Sequence, residues 1–384
     1  MSEYQYYEFQ AVDRPLTDDE MRQMRAVSSR ARITSTRFVN DYSWGDFKGQ
    51  PDRWMERWFD AFLYLANWGT RRLMLRLPAS VLDVETARRY CPGENVTAWD
   101  HGDFVILSFT ADDEESRDWV EEDEDDLGSL GAMLPLREEL AAGDHRVLYL
   151  GWLLLIQSLE WDDEDPPLEP PVPPGLGTLT GALQAFRDFL RIDPDLVHVA
   201  AERSPALAAP HGDAEVRRWI AALADDEKVE LLARVAAGRE REVRMQLVRG
   251  VHAARPAADA ADGEPRTAQA LLDAAEERAE ARARAEAEAA AREKARRAAA
   301  AAAARQRHLD LLAGRDEELW HNVDALAASK RPASYDEAVA LLKDLRDLAA
   351  RDGRDEEFRA RFATLRQQHA RKPSFIDRLR KVAG

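Results

Sequence analysis

The chain has 384 residues, of which 45% are hydrophobic and 33% charged, with a formal net charge of -18 and a single cysteine, Cys91. That length has room for two or three domains. The acidic balance argues against nucleic-acid affinity of the chain as a whole, and one thiol excludes an internal disulfide and any zinc site built on several thiolates. The charge is unevenly spread. Residues 112–126 hold eleven acids against Arg117 alone, and residues 160–169 hold six acids with no base. Between residues 359 and 381, eight bases stand against the single acid Asp377. An acidic front therefore precedes a basic tail. The N-terminus, MSEYQYYEF, has neither the basic nor the apolar region of a secretory signal. The most apolar run, 147–159, falls short of the ~20 residues that a membrane span needs. The cytoplasm is the expected compartment, and no membrane partner is expected.

Residues 1–160 read as an α+β domain. Residues 3–12 have the aromatic alternation of a strand. Thr17 and Glu20 form a capping box that opens a helix carrying Met21, Met24 and Val27 on one stripe. Residues 33–42 are rich in β-formers. Pro51 suits a first helical turn, and Trp54, Trp58, Ala61 and Leu65 then recur at helical spacing. Met55, Phe59, Phe62 and Ala66 line the adjacent stripe, which predicts a central helix ended by Asn67 and Gly69. Residues 70–77 alternate, with Leu73, Leu75 and Leu77 opposed to Arg72, Met74 and Arg76. After a short helix near 83–90, two runs at 96–99 and 104–109 flank Asp100-His101-Gly102-Asp103, a hairpin turn. The acidic segment 111–126 is expected to be a surface loop. Helices near 130–141 and 145–160 close the domain.

Six prolines among acids make 161–177 a linker, because they stop both helices and central strands. Residues 178–254 read as helical throughout, and 255–265 is a second linker. From 266 to 313 the composition predicts one long Ala/Arg/Glu helix of about 70 Å. Within it, Asp273 to His308 carries no large apolar side chain and cannot bury itself in a core. Residues 314–384 form a C-terminal helical module, with Ser334 and Glu337 as a capping box for a helix over 335–351 and Ser374 capping the last helix. The fold class is thus an α+β N-terminal domain followed by an all-α region, with a long alanine-rich charged helix and a C-terminal helical hairpin module.

Two blocks carry a resemblance. The N-terminal stretch from YYEFQAVDRPLT through ANWGTRRLMLRLP resembles a family of uncharacterised bacterial proteins with no assigned activity. In the helical half, DDEKVELLARVAAG (225–238), SYDEAVALLKDLRDLAARDG (334–353) and QQHARKPSFIDRLRKV (367–382) resemble segments that accompany bacterial SWIM-type zinc-finger proteins. The finger itself, CxC…CxH, cannot be built on Cys91 alone, so no zinc ligands and no nucleic-acid contacts carry over. The resemblance implies a shared helical docking or scaffold module.

Candidate chemistry is sparse. Cys91 with His101, Asp100 and Asp103 invites a nucleophile–base reading, but nothing in the sequence fixes the pair in one cleft. The other seven histidines lack an i,i+4 partner or HExxH spacing, so no metal site is expected. Counted from Asp123, a calcium loop would need oxygen ligands where Leu127 and Leu134 stand. Gly175, Gly177 and Gly181 follow prolines rather than a strand, which removes the phosphate-cradling geometry; no cofactor is expected. Asn67 and Trp68 leading into Arg71, Arg72 and Arg76 offer a candidate anion-facing surface. The strongest candidate binding surface is the basic tail: Arg371, Lys372, Arg378, Arg380 and Lys381. Those bases either meet phosphates or dock on the protein's own acids. The expected function is a non-enzymatic adaptor or scaffold mediating protein–protein interaction. The alternatives are a nucleic-acid-binding component using the basic tail, and an enzyme with its site in the N-terminal domain.

Overall fold

A computed structural model describes residues 4–112, 130–158, 166–207, 212–254, 264–329 and 331–383. The acidic segment expected as a loop falls, from residue 113 onward, outside the described residues, as do 161–165 and most of 255–265. The chain divides into two compact units, residues 1–281 and 282–384.

The first unit is built on eight strands: β1 (Gln5–Gln10), β2 (Arg32–Ile33), β3 (Arg37–Tyr42), β4 (Ala61–Ala66), β5 (Arg71–Pro78), β6 (Pro92–Gly93), β7 (Val96–His101) and β8 (Phe104–Ala111). They form one antiparallel sheet in the order β2-β3-β1-β4-β5-β8-β7-β6. Its edges are strands of two residues, too short to recruit another chain. Between the strands run α1 (Asp18–Val27), α2 (Pro51–Arg57) and α3 (Val84–Arg88). The Thr17–Glu20 capping box opens α1 as expected. The turn 100–103 joins β7 to β8 with Gly102 at φ +60°, the left-handed region that glycine tolerates.

One expectation fails. The helix that opens at Pro51 stops at Arg57, and 61–66 is β4, hydrogen-bonded to β1 and β5. The reason is two-sided burial. Ala61, Leu63 and Leu65 face one core while Phe62 and Tyr64 face the other, so AFLYLA shows no polar alternation and imitates a broad helical stripe. Asn67 and Gly69 end no helix; they form the β4–β5 turn, with Gly69 at φ +107°.

On one face, α1 and α2 cover an aromatic core. Phe9 stacks 4.4 Å from Phe62, and Phe38 meets Trp54 edge-on at 4.9 Å. Such pairs each add ~0.5–1.5 kcal/mol beyond the area they bury. The other face carries α4 (Leu130–Met133), α5 (Pro135–Ala141), α6 (Arg146–Ser158), α7 (Gly181–Phe189) and α8 (Pro194–Ala201). Helix α6 is buried along nearly its whole length and lies on the sheet at Gly151, where an added Cβ would stand 2.4 Å from the Phe109 ring. With both faces covered at β1, Tyr6, Tyr7 and Phe9 are all buried, and the aromatic first strand is core on both sides.

Four charged residues buried beside this sheet pair with one another. Asp60 accepts from Arg76 at 2.7 Å and from the backbone N–H groups of Val12 and Asp13. Arg137 grips Asp13 with both terminal nitrogens (3.0 and 2.7 Å) and donates its Nε to the Arg76 carbonyl. Burial pushes the Asp60 carboxyl up, and Arg137 and Arg76 more than reverse it, holding it below the usual carboxylate range. At Asp13 burial prevails and its carboxyl is raised. Breaking such a cluster from one side costs ~3–5 kcal/mol, since the remaining charge is stranded out of water.

Three further helices complete the unit: α9 (Asp213–Ala222), α10 (Asp225–Ala236) and α11 (Glu240–Ala253). Residues 166–177 run along the same unit, where Glu169 is bound by Arg266 (2.6 Å) and Tyr149, and the Pro171 carbonyl accepts from Tyr90.

The long helix is α12 (Ala268–Leu312). Its first turns bury Ala268, Leu271 and Ala275, and from 281 to 304 its residues are exposed apart from the half-buried Glu293. The second unit holds α13 (Asp316–Ala328), α14 (Pro332–Arg351), α15 (Asp355–Gln368) and α16 (Pro373–Ala383) around a core of Trp320, Val323, Leu342, Leu345 and Phe375. Two caps differ from expectation for one reason. Pro332 and Pro373 take the first helical positions, so Ser334 and Ser374 lie inside helices rather than at their caps. No helix among the described residues is long and apolar enough to cross a membrane.

Candidate functional site

Cys91 and His101 do not meet. Cys91 is buried in the core under the large helical layer, and burial pushes its thiol up to about 12, away from nucleophile chemistry. His101 is exposed at the β7–β8 turn, 3.8 Å from Glu56 of α2, the helix covering the opposite face. The anion-facing surface expected from Arg71, Arg72 and Arg76 is likewise consumed by structure. Arg76 is buried on Asp60, Arg72 binds Ser108 and Asp52, and Arg71 donates to the Phe189 carbonyl.

The basic tail is largely committed to its own unit. Arg378 binds Asp336 at 2.8 Å and Ser374, Lys372 donates to the Ala327 carbonyl at 2.7 Å, and Arg380 lies 3.3 Å from Asp377. Arg361 forks onto Glu317 and stacks on Trp320. The Lys381 side chain lies outside the described residues. Arg359, Arg366 and Arg371 make no ion pair or hydrogen bond among the described residues, and all three are exposed. Arg359 and Arg366 are one heptad apart and so share a face of α15. In sequence, residues 282–384 carry 23 Lys and Arg against 17 Asp and Glu, a net +6, which leaves -24 on the remainder.

The least committed surface is the α9–α11 segment. Neither α9 nor α10 has a buried residue. Helix α10 carries Val229, Leu232 and Val235 at i,i+3 spacing, exposed by 66%, 68% and 43%. At 100° per residue they mark one arc, and Asp226, Glu230 and Arg234 mark the opposite one. That charged arc borders an open groove of about 640 Å³ between the three helices, with Asp226 and Glu230 themselves exposed. Both the apolar stripe and the acids of α10 therefore meet solvent.

The groove has an apolar floor of Trp219, Leu223 and Leu231. The Trp219 ring packs against Gly250 of α11, where a Cβ would be 2.1 Å from the ring, so α9 and α11 approach closely only with glycine there. The turn through Gly238 (φ +78°) sends α11 back along α10, and Gln246 accepts a hydrogen bond from Arg234. The Arg234 Nε is buried with no partner. Asp226, Glu230 and Arg249 also line the groove and make no ion pair or hydrogen bond among the described residues. Behind the groove, His145 packs near Tyr90 and faces Arg249, Asp144 and His252. Burial, with Arg249 and His252 against Asp144, holds its pKa down to about 4, so it is neutral.

No group of three or more His, Cys, Asp or Glu among the described residues is placed to hold a metal ion. No family model, no curated protein and no solved structure matches the chain. Sequence reading missed the groove because its residues are spread over Ser80 and 219–253 and include no motif.

Proposed function

We propose that this chain is a non-enzymatic, cytoplasmic adaptor that docks a protein partner on the α9–α11 segment. The observation that carries the reading is α10. A twelve-residue helix without one buried residue gains little from its own fold, since short helices are marginal in water and depend on burying an apolar face. Val229, Leu232 and Val235 supply such a face and leave it open. The resemblance of 225–238, which is α10 and the turn after it, to segments accompanying SWIM-type proteins belongs to the same reading, as does the resemblance of 334–353 and 367–382. The test is capture by the full chain and by Leu232→Asp, followed by reconstitution from purified components. One stoichiometric protein partner, bound by the parent and lost in the variant, supports the reading. Retention of every partner by Leu232→Asp, or turnover of a metabolite by the purified chain, overturns it.

A second reading rests on its own observation: among the described residues, Arg359, Arg366 and Arg371 make no ion pair in a unit whose other arginines mostly bind acids. Here the second unit meets a nucleic-acid backbone. The full chain then binds duplex DNA with a log–log salt slope of up to roughly -2.7, about -0.9 for each phosphate neutralised. Replacing the three arginines by glutamine flattens that slope. An unchanged slope sinks the reading.

A further inference from the structure

We propose that the α9–α11 groove binds a short extended peptide bearing a basic side chain three or four residues before a carboxylate, with an apolar residue between them. The inference rests on the adaptor reading and names what the inner face of α10 recognises. The groove has both signs of charge, and those on α10 are ordered along the helix. Arg234, near the C-terminal end of α10, has its Nε buried and without an acceptor. A buried donor left unpaired is destabilising, and a ligand carboxylate is an acceptor of the right charge. One and two turns back toward the N-terminus stand Glu230 and Asp226, with no cation bound to either among the described residues. Eight residues separate Asp226 from Arg234, about 12 Å of helix axis. An extended chain covers that span in three to four residues at ~3.3–3.6 Å each.

A free amino acid is too short to satisfy both ends at once. A purely anionic ligand meets three carboxylates (Asp226, Glu227, Glu230) against two guanidiniums (Arg234, Arg249). A peptide with a cation at one end and a carboxylate at the other answers each group in order. Between the ends, Trp219, Leu223 and Leu231 take an apolar side chain. Arg249 of α11 lines the groove as well.

The probe is the acetylated tetrapeptide Arg-Ala-Leu-Leu with a free C-terminal carboxylate, titrated into the full chain by calorimetry. Its C-terminal amide and a Glu-Ala-Leu-Leu analogue are the controls. Saturable binding is expected, weakened about tenfold by either change, the scale of one charge-assisted hydrogen bond. Arg234→Gln is expected to erase the preference for acid over amide, and Asp226→Asn the preference for arginine over glutamate. Both substitutions fall on side chains outside the core, and unchanged thermal unfolding confirms that each variant is folded. Equal affinity for all three peptides, or no saturation at millimolar peptide, overturns the proposal. Binding abolished by Leu232→Asp but indifferent to Arg234→Gln places the peptide on the outer stripe. That outcome also overturns the groove assignment, and it leaves the adaptor reading intact.

Discussion

The sheet and the α9–α11 segment belong to one unit and use the same residue types in opposite ways. Around the sheet, apolar side chains point into two cores and buried carboxylates and guanidiniums pair with one another, as in the cluster of Asp13, Asp60, Arg76 and Arg137. In α10 the apolar side chains point out, while Asp226, Glu230 and Arg234 line a groove and make no ion pair among the described residues. Polar groups left unsatisfied are costly to a fold, and a binding surface must hold some of them in reserve. The first region is finished as a structure, and the second is completed by what it binds.

The largest test of this contrast is Asp60→Ala. It takes the carboxylate from the buried Arg76 while Arg137 keeps Asp13, and denaturant unfolding at neutral pH is expected to show a loss of ~3–5 kcal/mol. A loss below ~1 kcal/mol would mean that water reaches the cluster, and the contrast would collapse.

Much of the sheet region was legible in the sequence because its signals are local. Thr17 and Glu20 sit three residues apart and cap α1; Asp100 to Asp103 carries its own turn geometry; Leu73, Leu75 and Leu77 alternate with Arg72, Met74 and Arg76 on the other face of the strand. Strand β4 was not legible, because burial on both faces erases the period that separates strand from helix. Likewise, nothing local to Arg378 or Arg361 says that Asp336 and Glu317 neutralise them from 42 and 44 residues away. The outward stripe was unreadable for a deeper reason. Val229, Leu232 and Val235 have the spacing of any amphipathic helix, and which face is buried depends on neighbours that the helix itself does not encode.

The next effect is pH-dependent and sharpens the boundary between the two regions. His145 has a folded pKa of about 4, below the ordinary 6.5. Above pH 6.5 it is neutral in both states and contributes nothing to the pH dependence. As pH falls from 6.5 toward 4 the unfolded chain takes up a proton that the folded chain refuses, so stability declines by up to about 3 kcal/mol over that window. His145→Gln is expected to remove this part of the slope in urea midpoints measured across it. An identical slope in the variant would show that His145 is solvated and that α11 does not seal it. Gly151→Ala comes next. The added methyl meets Phe109 at 2.4 Å, and overpacking of this kind costs ~1–3 kcal/mol, read as a lower thermal midpoint with the same unfolding slope.

The smallest expected effect is the most discriminating. Leu232→Asp puts a charge where the structure has an exposed leucine on a helix with no buried residue, and surface changes of that kind stay within ~0.5 kcal/mol. Its urea midpoint should therefore match the parent's even though partner docking is lost. That combination is what separates a docking surface from a core. If the variant instead unfolds more than ~2 kcal/mol early, Leu232 is buried in solution by another part of this chain or by a second copy. Repeating the measurement at tenfold lower protein concentration tells those two apart, because only an intermolecular cover weakens on dilution.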